Sequence, residues 1–439
     1  MKDSTWRRPK NIGNEREMAA KVRLIMRHVA TIICATLLLA MAALAEDWPQ
    51  FRGPTGQGIS NAKNLPTKWS ASENVAWKKE IPGEGWSSPV LAGGKIYLTS
   101  AMLEGNIPVS LRALCIDPNS GDILWNKEVF HRAAVPSIKH DKNSFASPTP
   151  IVTSDRLYVH FGHLGTAALD LAGNILWTQT TLSFPSVHGN AGSPALLDQL
   201  LIFNCDGARN PFIVALDANS GQVKWRTPRN TPIKAMFSFC TPLAIEVDGR
   251  TQIISPTSGL VAAYDPADGR EIWRALTGLG YSVVPRPIYT NGLILISSGF
   301  DNPVVYAIDP KGAKGDVTAT HVKWKERKSA PCTPSILAVG DEVYWVSDGG
   351  IAACADTKTG KIHWSHRLGG NFSASPVAAE GRIYFQNETG KGFVVKAGKD
   401  FELISENDLE ERSLASYCVM DGAIFIRTEN HLWKIGGAR

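Results

Sequence analysis

Four stretches of this chain share one pattern: CIDPNSGDILW (115–125), ALDANSGQVKW (215–225), AYDPADGREIW (263–273) and CADTKTGKIHW (354–364). In each, an Asp lies eight residues before the final Trp and a Gly four residues before it. Tryptophans recur every 40–52 residues, at Trp77, Trp125, Trp177, Trp225, Trp273, Trp324 and Trp364. Such a period predicts a radial or stacked repeat, in which each unit completes its apolar core against its neighbours.

The residues between successive tryptophans carry the signals of four short strands. A Ser/Thr-Pro pair opens six of the units, and X-Gly pairs such as Asp248-Gly249 supply the positive φ of two-residue hairpin turns. Eight openings occur, at 88–89, 147–148, 193–194, 241–242, 285–287, 333–334, 375–376 and 416–419. The sequence therefore predicts an all-β fold, an eight-bladed β-propeller of four-stranded antiparallel blades.

The two ends of the repeat region are each incomplete. The eighth unit ends at HLWKIGGAR, too early for a fourth strand, whereas ENVAWKKEI (73–81) is a fourth strand without a blade. Pairing the two segments would close the ring and remove exposed strand edges. We therefore expect the last blade to be shared between the N- and C-terminal segments.

The recurring Asp, Gly and Trp are interpreted as structural. The Asp can accept backbone N–H bonds across its turn, the Gly supplies positive φ, and the Trp is a flat apolar body that packs on the adjacent blade. A catalytic residue would occur once, whereas this set recurs in almost every unit.

The first 45 residues resemble a secretory signal with a long basic leader. The apolar run 29–44 follows Arg23 and Arg27 and ends in small residues near Ala45. The domains are therefore predicted as a signal peptide (1–45), an N-terminal strap (46–72) and the propeller (73–439), with cleavage near Ala45 and a periplasmic or secreted location. The alternative is an uncleaved anchor, because the run is near the lower limit for a membrane span.

The leader also accounts for the net charge of +5. It contains eight Lys/Arg and three Asp/Glu, so the rest has 38 basic and 38 acidic residues. A neutral mature chain gives no electrostatic reason to expect nucleic-acid binding. We expect no membrane span in the mature chain, a monomer, and mostly free thiols, because its cysteines lie in apolar strand contexts.

The repeat resembles the tryptophan-docking motif of pyrroloquinoline-quinone (PQQ) repeat propellers, and the resemblance covers nearly all of the mature chain. The segments DWPQFRGPTGQGIS (47–60), GWSSPV (85–90) and NFSASPV (371–377) are similar to secreted PQQ-like proteins of planctomycete-type bacteria. This family also includes the lipoprotein scaffold of the outer-membrane β-barrel assembly machinery and the quinoprotein dehydrogenases. The resemblance implies the fold and leaves both a scaffold and an oxidoreductase open.

For a quinoprotein dehydrogenase the resemblance would imply a vicinal Cys-Cys pair, a calcium site and an Asp base. The chain has no adjacent cysteines and no glycine-rich phosphate loop, Gly-x-Ser-x-Gly elbow or HExxH helix. We therefore predict no catalytic residues, no metal and no cofactor. The alternative, a PQQ-dependent oxidoreductase, would bring PQQ and calcium.

The rim of the propeller is the predicted binding surface. Three consecutive connections (125–148, 177–194 and 225–242) are longer than the others, and loops on a rigid scaffold usually carry binding. Histidines cluster there, although their spacing fits no compact metal site. The candidate ligand-binding residues are His163, His188, Asn190, Asp206, Phe237, Tyr281 and Asn371.

A second candidate feature is a ring of acidic turn residues that should lie on the same face: Asp206, Asp301, Asp348, Glu388 and Glu429. Convergent carboxylates could hold a cation such as calcium, whereas Asp and Glu are also ordinary turn residues. Taken together, the sequence predicts an exported, non-enzymatic propeller that binds a protein partner of the cell envelope or a small ligand at its rim.

Overall fold

A computed structural model describes residues 47–131, 139–189 and 191–437. The first strand, β1 (Val75–Glu80), pairs antiparallel with the last, β33 (His431–Gly436). Together with β31 (Cys418–Met420) and β32 (Ala423–Arg427), they form one four-stranded sheet in the order β1-β33-β32-β31. The predicted closure of the ring by the two terminal segments is confirmed.

Seven further sheets follow in chain order, and with the shared sheet they make eight blades. Blades one to four contain β2 (Val90–Ala92), β3 (Lys95–Glu104), β4 (Ile107–Ile116) and β5 (Ile123–His131); β6 (Ile151–Val152), β7 (Arg156–His160), β8 (Thr166–Asp170) and β9 (Ile175–Gln179); β10 (Ala195–Leu197), β11 (Leu200–Cys205), β12 (Phe212–Asp217) and β13 (Val223–Pro228); and β14 (Leu243–Val247), β15 (Arg250–Thr257), β16 (Leu260–Tyr264) and β17 (Glu271–Leu276).

Blades five to seven contain β18 (Ile288–Thr290), β19 (Leu293–Ser297), β20 (Val305–Ile308) and β22 (Val322–Glu326); β23 (Leu337–Val339), β24 (Glu342–Val346), β25 (Ile351–Asp356) and β26 (Ile362–Arg367); and β27 (Val377–Ala379), β28 (Arg382–Gln386), β29 (Lys391–Lys396) and β30 (Leu403–Asp408). A short strand, β21 (Gly315–Asp316), adds to blade four, and a 3₁₀ turn (Gly162–Leu164) lies in blade two. Among the described residues no helix is long and apolar enough to cross a membrane. The predicted eight-bladed fold is confirmed.

Tryptophans of the repeat join neighbouring blades as expected. The Trp225 indole N–H donates to the Pro266 carbonyl of the next blade at 2.8 Å, and its ring lies on the motif glycine Gly269. Five others bond the next blade in the same way: Trp77, Trp125, Trp177, Trp324 and Trp364. Trp273 also packs against blade five, but its indole donates to Gln252 of its own blade.

The inner strands are joined by a ring of hydroxyl groups. The Thr149 N–H donates to the Ser193 hydroxyl at 2.9 Å, and the Ser193 N–H donates to Thr241 at 3.0 Å. Equivalent bonds link Ser88, Ser335, Ser375 and Ser416 to their neighbours. Blades two and six therefore open at Thr149 and Ser335, two residues after the predicted positions. In blade five, Arg286 takes the place of the hydroxyl residue.

The segment before β1 crosses the channel on the face of the turns between first and second strands. Trp48 exchanges two backbone hydrogen bonds with Leu91 of blade one, and Ile59 pairs with Ala378 of blade seven. Between these anchors, the Phe51 carbonyl accepts a hydrogen bond from the Arg286 guanidinium at 2.7 Å. This segment, residues 47–60, is called the plug below.

Candidate ligand-binding site at the channel mouth

The central channel opens on the face opposite the plug, where the loops that lead into the inner strands meet. A cavity of about 480 Å³ occupies this mouth and is lined by loops of all eight blades. Of the described residues, Phe51 of the plug is the one lining residue from outside the blades. The site is therefore a cup whose wall is built by the ring and whose lining includes the tip of the plug.

One half of the wall is aromatic. Ring centroids of His188 and Phe237 are 5.1 Å apart, those of Phe237 and Tyr281 5.7 Å, and those of Tyr281 and Phe300 5.6 Å. Interplanar angles of 74–84° make these edge-to-face contacts, the arrangement that aromatic rings favour. We call these four residues the aromatic arc. Phe239 packs beside the arc, 6.1 Å from Phe237.

Backbone hydrogen bonds hold the arc in place. The Ser282 N–H donates to the Phe237 carbonyl at 3.1 Å, and the Phe300 N–H donates to the Tyr281 carbonyl at 2.7 Å. The loops of blades three to five are thus bonded to one another rather than free. An arc that is already ordered loses little conformational entropy when a ligand binds.

The other half of the wall carries polar groups that already have partners. Lys142 forms an ion pair with Glu388 at 2.7 Å, and the Asp348 carboxylate accepts the Cys332 N–H at 2.6 Å.

His188 is the one titratable imidazole of the aromatic arc. Burial lowers its pKa, and the charge of nearby His140 also lowers it. Both effects favour the neutral imidazole of His188.

The structure brings three of the predicted binding residues together and places the others elsewhere. His188, Phe237 and Tyr281 line the cavity. His163 lies in the 3₁₀ turn with its ring 6.1 Å from Phe184, and exposed Asn371 uses its backbone carbonyl to accept the Glu388 N–H. Neither lines the cavity, and Asn190 lies outside the described residues.

Asp206 lies inside the blades rather than at the mouth. Its carboxylate pairs with the Arg229 guanidinium at 3.0 Å and accepts the Thr257 hydroxyl at 2.9 Å, and both charged side chains are completely buried. Burial raises the pKa of Asp206 to about 6, an effect that the charge of Arg229 partly offsets. Asp206 therefore neutralises a buried arginine.

The predicted acidic ring does not converge. Asp206 pairs with Arg229, Glu388 with Lys142, and Glu429 with Arg412 at 3.4 Å. Within the part of the chain that the structure describes, no three His, Cys, Asp or Glu side chains are grouped to hold a metal ion. Two histidines of the long connections, His140 and His188, contact each other instead, with ring centroids 5.6 Å apart.

Sequence reasoning missed several lining residues, among them Phe51, Phe239 and Phe300. His140 belongs to the histidine cluster of the long connections but was not among the candidate binding residues, and Phe239 lies in a long connection without a distinguishing pattern. Phe300 follows an inner apolar strand, where a turn residue has no distinguishing pattern. Nothing local marks Phe51, because its position depends on contacts with blades far away along the chain.

Comparisons with known proteins agree with this architecture. A PQQ-repeat family model, described as outer membrane protein assembly factor BamB, matches residues 60–208, 187–300 and 301–401. The chain belongs to this family. BamB from Moraxella catarrhalis has a similar structure with a TM-score of 0.56 and 15% identity, covering 82% of this chain and 99% of that one. At these identities the structural likeness shows the fold alone.

Methanol dehydrogenases are also among the similar proteins. A lanthanide-dependent methanol dehydrogenase of Methylorubrum extorquens (strain AM1) is 29% identical over 150 residues, 31% of this chain and 24% of that protein. The match thus spans about a quarter of that relative. A europium-containing methanol dehydrogenase structure has a TM-score of 0.61 and 11% identity, covering 88% of this chain and 90% of that one.

A site for metal-bound PQQ, a planar quinone with three carboxylates, would require groups that are free to hold the carboxylates and the metal ion. Among the described lining residues the one ammonium group, Lys142, is already paired with Glu388, and the carboxylate, Asp348, is bonded to backbone N–H groups. Cys332 is the lining cysteine, and it is free. These groups do not fit a metal-bound tricarboxylate quinone, so no reaction step is assigned to one.

Proposed function

We propose that this protein is an exported, non-enzymatic binding propeller whose channel mouth accepts a flat apolar group of a protein partner or small ligand. The observation that carries this proposal is the aromatic arc beside the plug residue Phe51. Concave sites with mostly apolar walls and a few polar groups are typical binding sites. Aromatic anchors also dominate the energetics of interfaces.

The polar groups at the mouth support binding rather than chemistry. Burial, together with the nearby charge of Asp348, raises the pKa of the Cys332 thiol to about 12, which disfavours a thiolate nucleophile at neutral pH. Lys142 and Asp348 have partners within the wall. Such groups orient a ligand at the rim of an apolar cup.

The proposed location is the cell envelope. The leader pattern in residues 1–45 and membership of the BamB family support it. A scaffold protein in the envelope would present the cup to its partners, while the outermost strand of each blade stays hydrogen-bonded to the strand beside it. The partner itself is defined only by chemistry, as a chain or molecule with an exposed aromatic or branched apolar group.

The second candidate is a quinoprotein oxidoreductase. The 150-residue match to a methanol dehydrogenase favours it. The poor fit of the mouth to a metal-bound tricarboxylate is the argument against it. The two candidates differ in one measurable property, which is turnover after reconstitution.

Binding can be tested with fluorescent peptides that each carry one aromatic residue, measured by anisotropy. We expect Phe237→Ser and Tyr281→Ser to weaken the tightest peptide at least about tenfold, because loss of an aromatic anchor costs more than about 1.4 kcal/mol. Leu124→Ser, which removes a half-exposed apolar group from outer strand β5, should have no effect. Equal affinities in all variants would contradict a mouth site.

The same protein should be mixed with PQQ and either calcium or a lanthanide salt. We expect no dye-linked oxidation of methanol above the protein-free rate. Turnover that Tyr281→Ser abolishes would replace the binding proposal with the oxidoreductase.

A further inference from the structure

Two arginines are buried in the channel between the plug and the blades. Arg52 of the plug is 1% exposed, and Arg286 of blade five is 3% exposed. Both contact the same short piece of chain, because Gly56 lies against the Arg286 guanidinium and Gly58 against that of Arg52. The two cations therefore share one enclosed region.

Their hydrogen-bonding capacity is largely unused. Arg52 donates through Nη2 to the Gln57 carbonyl at 3.0 Å, and Arg286 donates through Nη1 to the Phe51 carbonyl at 2.7 Å. Three other guanidinium nitrogens are buried and contact no acceptor among the described residues: Arg52 Nε, Arg52 Nη1 and Arg286 Nε. Within the same residues neither guanidinium forms an ion pair with a carboxylate.

Other buried arginines of the ring have a carboxylate or several acceptors beside them. Arg229 pairs with Asp206, and the Arg427 Nη1 donates to Ser87 and Thr99. Burial lowers the pKa of Arg427 to about 9, an effect that the charge of Glu84 partly offsets. Burial, together with the nearby charge of Arg286, lowers the pKa of Arg52 to about 9, and burial lowers the pKa of Arg286 to about 10. Two like charges in one dry region cost free energy unless an opposite charge joins them.

The space around the guanidiniums limits the size of such a counter-charge. A Cβ atom added to Gly56 would lie 2.3 Å from Arg286 Nη1, and one added to Gly58 would lie 2.7 Å from Arg52 Nη2. The plug backbone therefore packs directly on both side chains. A monatomic anion is the smallest counter-charge that could join the two side chains.

We propose that a halide ion, chloride under physiological conditions, binds at the unpartnered nitrogens of Arg52 and Arg286 inside the channel. This site is separate from the mouth cavity, and the proposal does not depend on what the mouth binds. The bound ion would fasten the plug to blade five next to the Arg286–Phe51 bond. Chloride would thereby stabilise the plug.

Bromide is the probe for the site. Crystals grown in sodium bromide and measured at the bromine absorption edge should show an anomalous peak within about 3.5 Å of the Arg52 and Arg286 guanidinium nitrogens. Peaks confined to the surface, or none, would overturn the proposal.

Solution stability gives an independent test. At equal ionic strength, thermal unfolding in sodium chloride should have a midpoint on the order of 2 °C above that in sodium gluconate, with saturation as chloride rises. Arg286→Met should abolish this difference. Arg274→Met, which removes a half-buried arginine paired with Glu271, should keep it.

Should Arg286→Met fail to fold, Arg52→Met takes its place, and the bromide experiment needs no variant. A chloride effect of equal size in Arg286→Met or Arg52→Met would overturn the proposal, as would identical midpoints in the two salts for the unaltered protein.

Discussion

At the scale of single residues, the contact between Trp225 and Gly269 shows how neighbouring blades are joined. The indole is 7% exposed, and an added Cβ on Gly269 would lie 2.4 Å from its ring. Gly269 also has a φ of +73°, which its turn requires. The motif glycine therefore has two roles, a backbone conformation and a flat seat for the tryptophan of the preceding blade.

We expect Trp225→Ala to lower the free energy of unfolding by about 3–5 kcal/mol, as for other large buried aromatic residues. Gly269→Ala should also destabilise, through strain and a clash with the indole. In the double variant the clash disappears, so the combined loss should be smaller than the sum by about 1 kcal/mol or more. Denaturant titration measures all three, and strictly additive losses would mean that the two residues do not touch.

The sequence predicted the packing of these residues but not every detail. Six tryptophans bond the next blade at an equivalent place. In five of them the acceptor is the carbonyl of the residue after the motif Asp, whereas Trp364 bonds Gly398 of blade seven, which has no motif Asp. Trp273 differs because blade five has an insertion after Asp309, and β21 from this insertion pairs beside Trp273. An insertion of this kind changes a local hydrogen-bond partner without changing the repeat.

At the scale of elements, the shared blade closes the ring. Strand β1 pairs with β33 from Val75↔Ile435 to Glu80↔His431, and Trp77 then bonds Pro118 of blade one. The strand thus completes blade eight and also joins it to blade one. Loss of this strand would expose the edge of β33 and leave blade one without its docked indole.

We expect deletion of residues 73–81 to cause aggregation or a broad thermal transition. Lys79→Ala is the matched control, because it removes only an ion pair with Asp122 and keeps the strand. This variant should melt like the unaltered protein. Size-exclusion chromatography and calorimetry measure both, and a monomeric deletion variant with an unchanged melt would rule out closure by β1.

The elements and the site differ in how far they could be predicted. Strand order and blade number follow from a repeated local pattern. The long connections contain His188 and Phe237, whose rings lie 5.1 Å apart, whereas Tyr281 lies in a shorter connection. Asp206 was misplaced at the rim because its pairing with Arg229 depends on side-chain contacts inside the blades. The plug has no repeat, and its course is set by distant contacts such as Trp48 with Leu91.

At the scale of the whole molecule, the ring and the plug together convert a channel into a cup. Eight blades supply the wall, and the plug crosses the opposite end. Such an arrangement presents one concave apolar surface on one face only. Under the proposed function, recognition takes place at the mouth, and the outer wall of the ring has no part in it.

Photo-crosslinking tests this claim most directly. A benzophenone amino acid would replace Phe300, which is 52% exposed at the mouth, or Tyr281 beside it. Leu124 and Leu176, about equally exposed on the outer strands of blades one and two, are the control positions. The protein would be made in its natural cells, irradiated, and examined by gel and intact-mass measurement. We predict one discrete adduct, protein or small molecule, from both mouth positions and none from the wall. No adduct from the mouth, or the same adduct from the wall positions, would contradict the account.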